Sequence, residues 1–259
     1  DAPFRLPRID LVLEDARLAL ESPYGRIGIR LDGQGNLRSG FEGTIALVSP
    51  QLRAKGCAAT GLQIYGDIAV VGARPTYVGP ARFAGLQCGD VSAGAASLKI
   101  DASLSEAADN WRGAVQLTSL NALSGPSVRI VGMTGGGEFS GDATKTLARF
   151  EAQARGVAAS QLNAATLELA AKAVVGRRGV RVNGRTIAFG LQANRHFAKA
   201  TQRVRGLRQA PVLGPLAQQL GHALSQAGAG IKADARFAWS HIDGLDSASL
   251  GDVRLSAPG

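Results

Sequence analysis

The sequence predicts a mainly β protein, a long antiparallel meander with one short helical interruption. Three observations carry that expectation. Apolar residues recur at every second position from residue 9 to about 193, the period of a strand with one wet face. Gly-rich or polar segments separate these runs as turns. Between residues 195 and 229 the period becomes helical, and strand character then returns.

Taken in order, Leu18 and Leu20 open the pattern, and Ile27, Ile29 and Leu31 alternate with Arg26, Gly28, Arg30 and Asp32. Ile45-Leu47, Ile68-Val70, Val115-Leu117, Val128-Ile130 and Leu167-Leu169 follow the same rule. Leu98, Ile100, Ala102 and Leu104 alternate with Lys99, Asp101 and Ser103. Val180 and Val182 precede Asn183-Gly184, which reads as a hairpin turn answered by Ile187, Phe189 and Leu191. Further turns are expected at Asp32-Gly33-Gln34-Gly35-Asn36, Ser124-Gly125-Pro126, Gly135-Gly136-Gly137 and Gly176-Arg177-Arg178-Gly179. An irregular repeat links Ala16-Arg17-Leu18-Ala19-Leu20 to Ala96-Ser97-Leu98-Lys99-Ile100 and Ala165-Thr166-Leu167-Glu168-Leu169. Leu250-Gly251-Asp252-Val253-Arg254-Leu255 echoes it. Such spacing suits a sheet that keeps adding similar strands rather than a solenoid of fixed period.

In the helical stretch, Phe197, Ala200, Val204 and Leu207 share one face, while Arg195, Lys199 and Arg203 share another. Pro211 interrupts it. A second helix carries Leu213, Leu216, Leu220 and Leu224, with Pro215 in its first turn and Gly228 and Gly230 at its end. Strands resume over 231–239 and 253–255. The expected organisation is a β segment over 1–194, a helical hairpin over 195–229, and returning strands of the same domain over 230–259.

Composition narrows the function classes. The 259 residues hold 29 Lys+Arg against 20 Asp+Glu, a formal charge of +9. With 45% hydrophobic and 19% charged residues the chain is too apolar for disorder. No run of 18 uncharged apolar residues is present to span a bilayer as a helix. Only six of the cations are Lys, and Ala and Gly abound, as a GC-rich genome produces whatever the function. The positive charge admits nucleic acid, acidic lipid head groups, anionic polysaccharide or a merely solvated surface. The chain opens at Asp1 without Met, which reads as a piece of a longer polypeptide whose targeting segments lie elsewhere.

No catalytic constellation is found. His196, His222 and His241 lack metal-ligand spacing, and no Gly-x-Ser-x-Gly elbow is present. The Gly-rich run from Met133 to Gly141 lacks the Lys-Ser/Thr of a phosphate loop and reads as a hairpin turn. No enzyme activity, metal or cofactor is expected. Cys57 and Cys88 sit in Gly-flanked, strand-end contexts, which favours a disulfide in an oxidising compartment over two unrelated thiols.

Arg177, Arg178, Arg181 and Arg185, with Arg195, Lys199 and Arg203, form the most cationic stretch. They are candidate contacts for phosphate or another anion, or a solvated face that blunts a sheet edge. Without interleaved aromatics for base stacking, nucleic acid is not an expected partner.

The apolar strand faces pose the sharpest question. A short helical hairpin cannot cover so many strands. The sheet therefore either closes on its own core or curls into a trough whose lining stays available. Leu18, Leu20, Ile27, Ile29, Leu31, Ile45, Leu47, Leu98, Ile100, Leu167, Leu169, Ile187, Phe189 and Leu191 are the candidate lining positions. Such a surface suits acyl chains, which gain about 0.8 kcal/mol per buried methylene without polar partners. The alternative class is a structural β domain that binds an anionic polymer or a partner protein.

The run from Leu11 through Ala16-Arg17-Leu18-Ala19-Leu20-Glu21-Ser22-Pro23-Tyr24-Gly25 continues into Arg26-Ile27-Gly28-Ile29-Arg30-Leu31-Asp32-Gly33 and Gly40-Phe41-Glu42-Gly43-Thr44. With the later Leu-x-Leu strands, it resembles the YdbH-like branch of the bacterial AsmA-like proteins, relatives of TamB. The likeness rests on texture and repeats over most of the chain rather than on a single motif. It implies an open β-trough (β-taco-like) in a periplasmic bridge, anchored in the inner membrane of a Gram-negative bacterium. Phospholipid would move through it toward the outer membrane. Neighbouring segments of the same polypeptide and an outer-membrane lipoprotein are the partners it implies. No individual functional residue carries over from the resemblance.

Overall fold

The computed structural model describes residues 6–54, 56–193 and 230–256. The first strands are β1 (Asp10–Ser22), β2 (Gly25–Asn36), β3 (Gly40–Ala54), β4 (Cys57–Val71) and β5 (Arg74–Phe83). Two short strands, β6 (Gly85–Cys88) and β7 (Val91–Ala93), precede β8 (Ala96–Leu104). There follow β9 (Asn110–Ser124), β10 (Val128–Asp142), β11 (Lys145–Ala159), β12 (Leu162–Gly176), β13 (Gly179–Phe189) and β14 (Gln192–Ala193). After the undescribed segment come β15 (Lys232–Ile242) and β16 (Leu245–Ser256). The helical hairpin expected over 195–229 lies outside the described residues.

All 16 strands belong to one antiparallel sheet, ordered β1-β2-β3-β4-β5-β8-β9-β10-β11-β12-β13-β15-β16. The first and last strands do not pair with each other, so the described ladder is open, with two edges. Strands in close contact are ladder neighbours. β15 pairs with β13, so the returning strands extend the sheet that the chain had already built.

Pairing is interrupted along one line that crosses the sheet. Pro50 and Gly61 are skipped between β3 and β4. Ala122 and Val131 are skipped between β9 and β10, Gly156 between β10 and β11, and Ala165 between β11 and β12. Ala84, Gly94-Ala95 and Gly190 fall between strands on the same line. Gly61, Ala122, Gly156 and Gly190 have φ of 63°, 52°, 62° and 63°, the left-handed backbone of a bulge. Bulges bend strands, and aligned bulges make a crease.

Beyond the crease lies a lip of short arms: 51–54, 57–60, β6, β7, 123–124, 128–130, 157–159, 162–164 and β14. Leu52, Ala59, Leu86, Ala93, Leu123, Ile130, Val157 and Ala164 form one unbroken cross-strand row along it. Lip residues Val157 and Ala164 pack with Ala154 and Ala188 of the long arms, and with Leu191 and Ile231, in one buried cluster. Val131, on the opposite side of the crease, is 66% exposed. The strands therefore bend toward their apolar side.

Three expected turns are instead strand. β2 runs through Asp32–Asn36, β10 through Gly135-Gly136-Gly137, and β13 straight through Asn183-Gly184. The glycines serve packing there. A Cβ on Gly33 would sit 2.6 Å from Phe41 Cζ, and one on Gly184 2.7 Å from Phe237 Cε1. Aromatic rings from neighbouring strands occupy that space. The turns expected at Ser124-Gly125-Pro126 and Gly176–Gly179 do connect strands.

Candidate apolar binding face

Cross-strand partners in an antiparallel ladder project to the same side, so the register sorts every residue onto a face. Leu18, Ile29, Leu47, Ile64, Ala81, Leu98, Leu117, Gly135, Ala152, Leu169, Thr186 and Ala235 form one row from β1 to β15. Leu20 and Ile27 face each other two residues away, as do Leu31 and Ile45, and Ile100 and Val115. Leu167 pairs with Ala154 and Ala188. One side of the sheet is thus apolar from β1 to β15, and the lip packs back onto it at Ala154 and Ala188.

Exposure along this face is graded. Leu18 and Leu20, on the edge strand, are 53% and 42% exposed. Ile27, Ile29, Leu31, Ile45, Leu47, Leu98, Ile100, Leu167 and Leu169 are half-buried, and Leu191 is buried at the crease. Small or polar residues are buried beside the crease as well: Ser49 is 1% exposed and donates its hydroxyl to the Arg26 carbonyl at 2.7 Å.

Ile187 and Phe189 are not on this face. The register pairs Ile187 with Glu168 and Asp234, and Phe189 with Thr166, which places both among the polar residues. The expected hairpin at Asn183-Gly184 would have reset the alternation. Because β13 continues, Gly184, Thr186 and Ala188 take the apolar side instead. Phe189 lies under the Lys232 ammonium, 5.3 Å from the ring centroid.

Cys57 and Cys88 are directly opposed on β4 and β6 and form a disulfide. Two residues along each strand lie Ala59 and Leu86 of the lip's apolar row, so the disulfide belongs to the same face, near the rim. It ties the β6–β7 hairpin, which exists only in the lip, to β4.

The basic cluster divides. Arg177 and Arg178 form the β12–β13 turn, and Arg178 Nε donates to Asp243 at 3.0 Å. Arg185 Nε donates to Asp234 at 2.7 Å. That hydrogen bond holds the Asp234 carboxyl below its usual range, against the opposing effect of desolvation. Arg181 projects from the polar face of β13. Arg195, Lys199 and Arg203 lie outside the described residues. Two of the cations are thus committed to carboxylates 49 and 65 residues away, partners that local sequence patterns do not reveal. The crease escaped sequence reading too: its only signal is a scatter of small residues, Gly61, Ala122, Gly156 and Gly190, whose alignment exists only once the strands pair.

Among the described residues there is no group of three or more His, Cys, Asp or Glu side chains placed to hold a metal ion. Nor, among them, is any helix long and apolar enough to cross a membrane. Comparison of the chain with protein-family models, with curated proteins and with solved structures finds no match.

Proposed function

We propose that this chain is a non-enzymatic phospholipid-binding and conducting segment whose apolar sheet face is the lining of an open trough. The observation that carries the reading is the continuous apolar face from β1 to β15, turned inward along a crease, with no second sheet among the described residues to cover it. Acyl chains are the natural occupant. They need only apolar area, gain about 0.8 kcal/mol per methylene removed from water, and leave no buried polar group unsatisfied. The polar face stays wet, as in an antiparallel sheet solvated on one side.

The disulfide is compatible with an oxidising compartment, and with the family resemblance it supports placement in the periplasm. In that setting the chain would be one stretch of a longer bridge between inner and outer membranes, of the YdbH-like kind.

Ile29 and Ile100 test the lining. Both are half-buried on the apolar face, on separate strands. Replacing both by Asp puts two charges where an acyl chain would lie. Uptake of a fluorescent phospholipid by the folded double variant is expected to fall at least about tenfold. Unaltered uptake, with the circular dichroism of the parent, would remove the apolar face as the binding surface.

A further inference from the structure

Cross-strand pairing divides the apolar face lengthwise. Leu98, Leu117, Leu120, Leu167 and Leu169 lie in its central row or between that row and the crease. Tyr77, Trp111, Phe139, Phe237 and Trp239 lie beyond it, toward the rim opposite the lip. The chain has two tryptophans, and both stand in the two rows nearest that rim.

The last row runs from Leu104 and Trp111 through Thr146 and Val180 to His241 and Asp246. Apart from Tyr77, His241 and Asp246 are the only ionisable side chains that pairing places on this face among the described residues. His241 Nδ1 and Asp246 Oδ1 are 3.0 Å apart, and the His241 ring stacks on Trp239 with centroids 6.5 Å apart. The pair is open to solvent, the Asp246 side chain being 70% exposed. The lip's row, on the other side of the crease, carries no polar side chain.

We infer that Trp239, His241 and Asp246 form the headgroup subsite of the lipid face, and that it takes a phospholipid whose head carries an ammonium group. The inference rests on the lipid reading above. An ammonium is matched by a carboxylate and by the face of an indole, and by nothing in the leucine band. Tyrosine and tryptophan suit the level where hydrocarbon meets water, since each has an apolar body and a polar tip. The length agrees. A phospholipid in one leaflet reaches roughly 20 Å from head to chain end. About six strand residues at about 3.3 Å each cover that distance. Chains that start at the rim row therefore end over the central row, where the leucines begin.

The test loads the full chain from vesicles and reads its tryptophans. The vesicles hold phosphatidylcholine with a nitroxide either on the head or near the end of one chain. Per bound lipid, the head label is expected to quench tryptophan emission at least about twofold more. Vesicles of equal phosphatidylethanolamine and phosphatidylglycerol give a second readout, by lipid extraction of the reisolated protein. The chain's charge of +9 by itself favours the anionic lipid. The subsite instead predicts at least about threefold more phosphatidylethanolamine bound, a ratio that Asp246→Asn lowers to about one or less. Asp246 is exposed on an edge strand, so the variant is expected to keep the circular dichroism of the parent. Equal or stronger quenching by the chain-end label, an excess of phosphatidylglycerol, or a ratio unchanged by Asp246→Asn, each with uptake intact, would overturn the subsite alone. No uptake of any lipid would overturn it together with the lipid reading.

Discussion

Replacing Cys57 and Cys88 together by serine is expected to lower the free energy of unfolding by roughly 3–4 kcal/mol in the chain-entropy account. The bond spans a sequence separation of 31 residues, so its loss frees a long loop in the unfolded chain. In the folded protein the effect should be local. β6 and β7 have four and three residues, pair only within the lip, and are joined to β4 by this bond. Hydrogen exchange should therefore accelerate first over residues 85–93, while the long arms of β8 to β12 keep their protection at low denaturant. Denaturant midpoints with and without reductant give the magnitude. A midpoint unchanged by reduction would show that the lip is held by its ladder alone.

Phe41→Ala is expected to cost about 3–4 kcal/mol, within the range for removing a buried aromatic. Phe41 is 2% exposed, the most buried large side chain among the described hydrophobic residues. Its ring occupies the space above Gly33, and it pairs with Val70, itself 7% exposed, across the β3–β4 ladder. A sheet with so little second-layer packing depends on such in-plane contacts. Truncation leaves a void over a glycine that has no side chain to relax into it. Urea unfolding of the variant should show the loss at an unchanged slope; a change within about 0.5 kcal/mol would mean that the ring contributes little.

Much of the fold was legible because one-sided burial writes itself into the chain at period two. Ile27-x-Ile29-x-Leu31 and Leu98-x-Ile100 each place their apolar residues on the shared face that the register defines. What failed has a common physical origin. Glycine signals a turn locally, but in β2, β10 and β13 it serves a neighbour: Phe41 needs the space over Gly33, and Phe237 the space over Gly184. These demands come from other strands and leave no trace beside the glycine. Reading Asn183-Gly184 as a turn then shifted the phase, so Ile187 and Phe189 were expected on the apolar face although they stand on the polar one. The disulfide was legible from two Gly-flanked strand-end cysteines. The crease was not, because it depends on register between strands.

The central claim is that the apolar face holds acyl chains. Native mass spectrometry of the chain purified from a periplasmic expression host, followed by lipid extraction, tests it most directly. The account predicts phospholipid co-purifying with the folded monomer and lost from the Ile29→Asp, Ile100→Asp variant. A lipid-free, monodisperse protein that also fails to take up labelled phospholipid would contradict it.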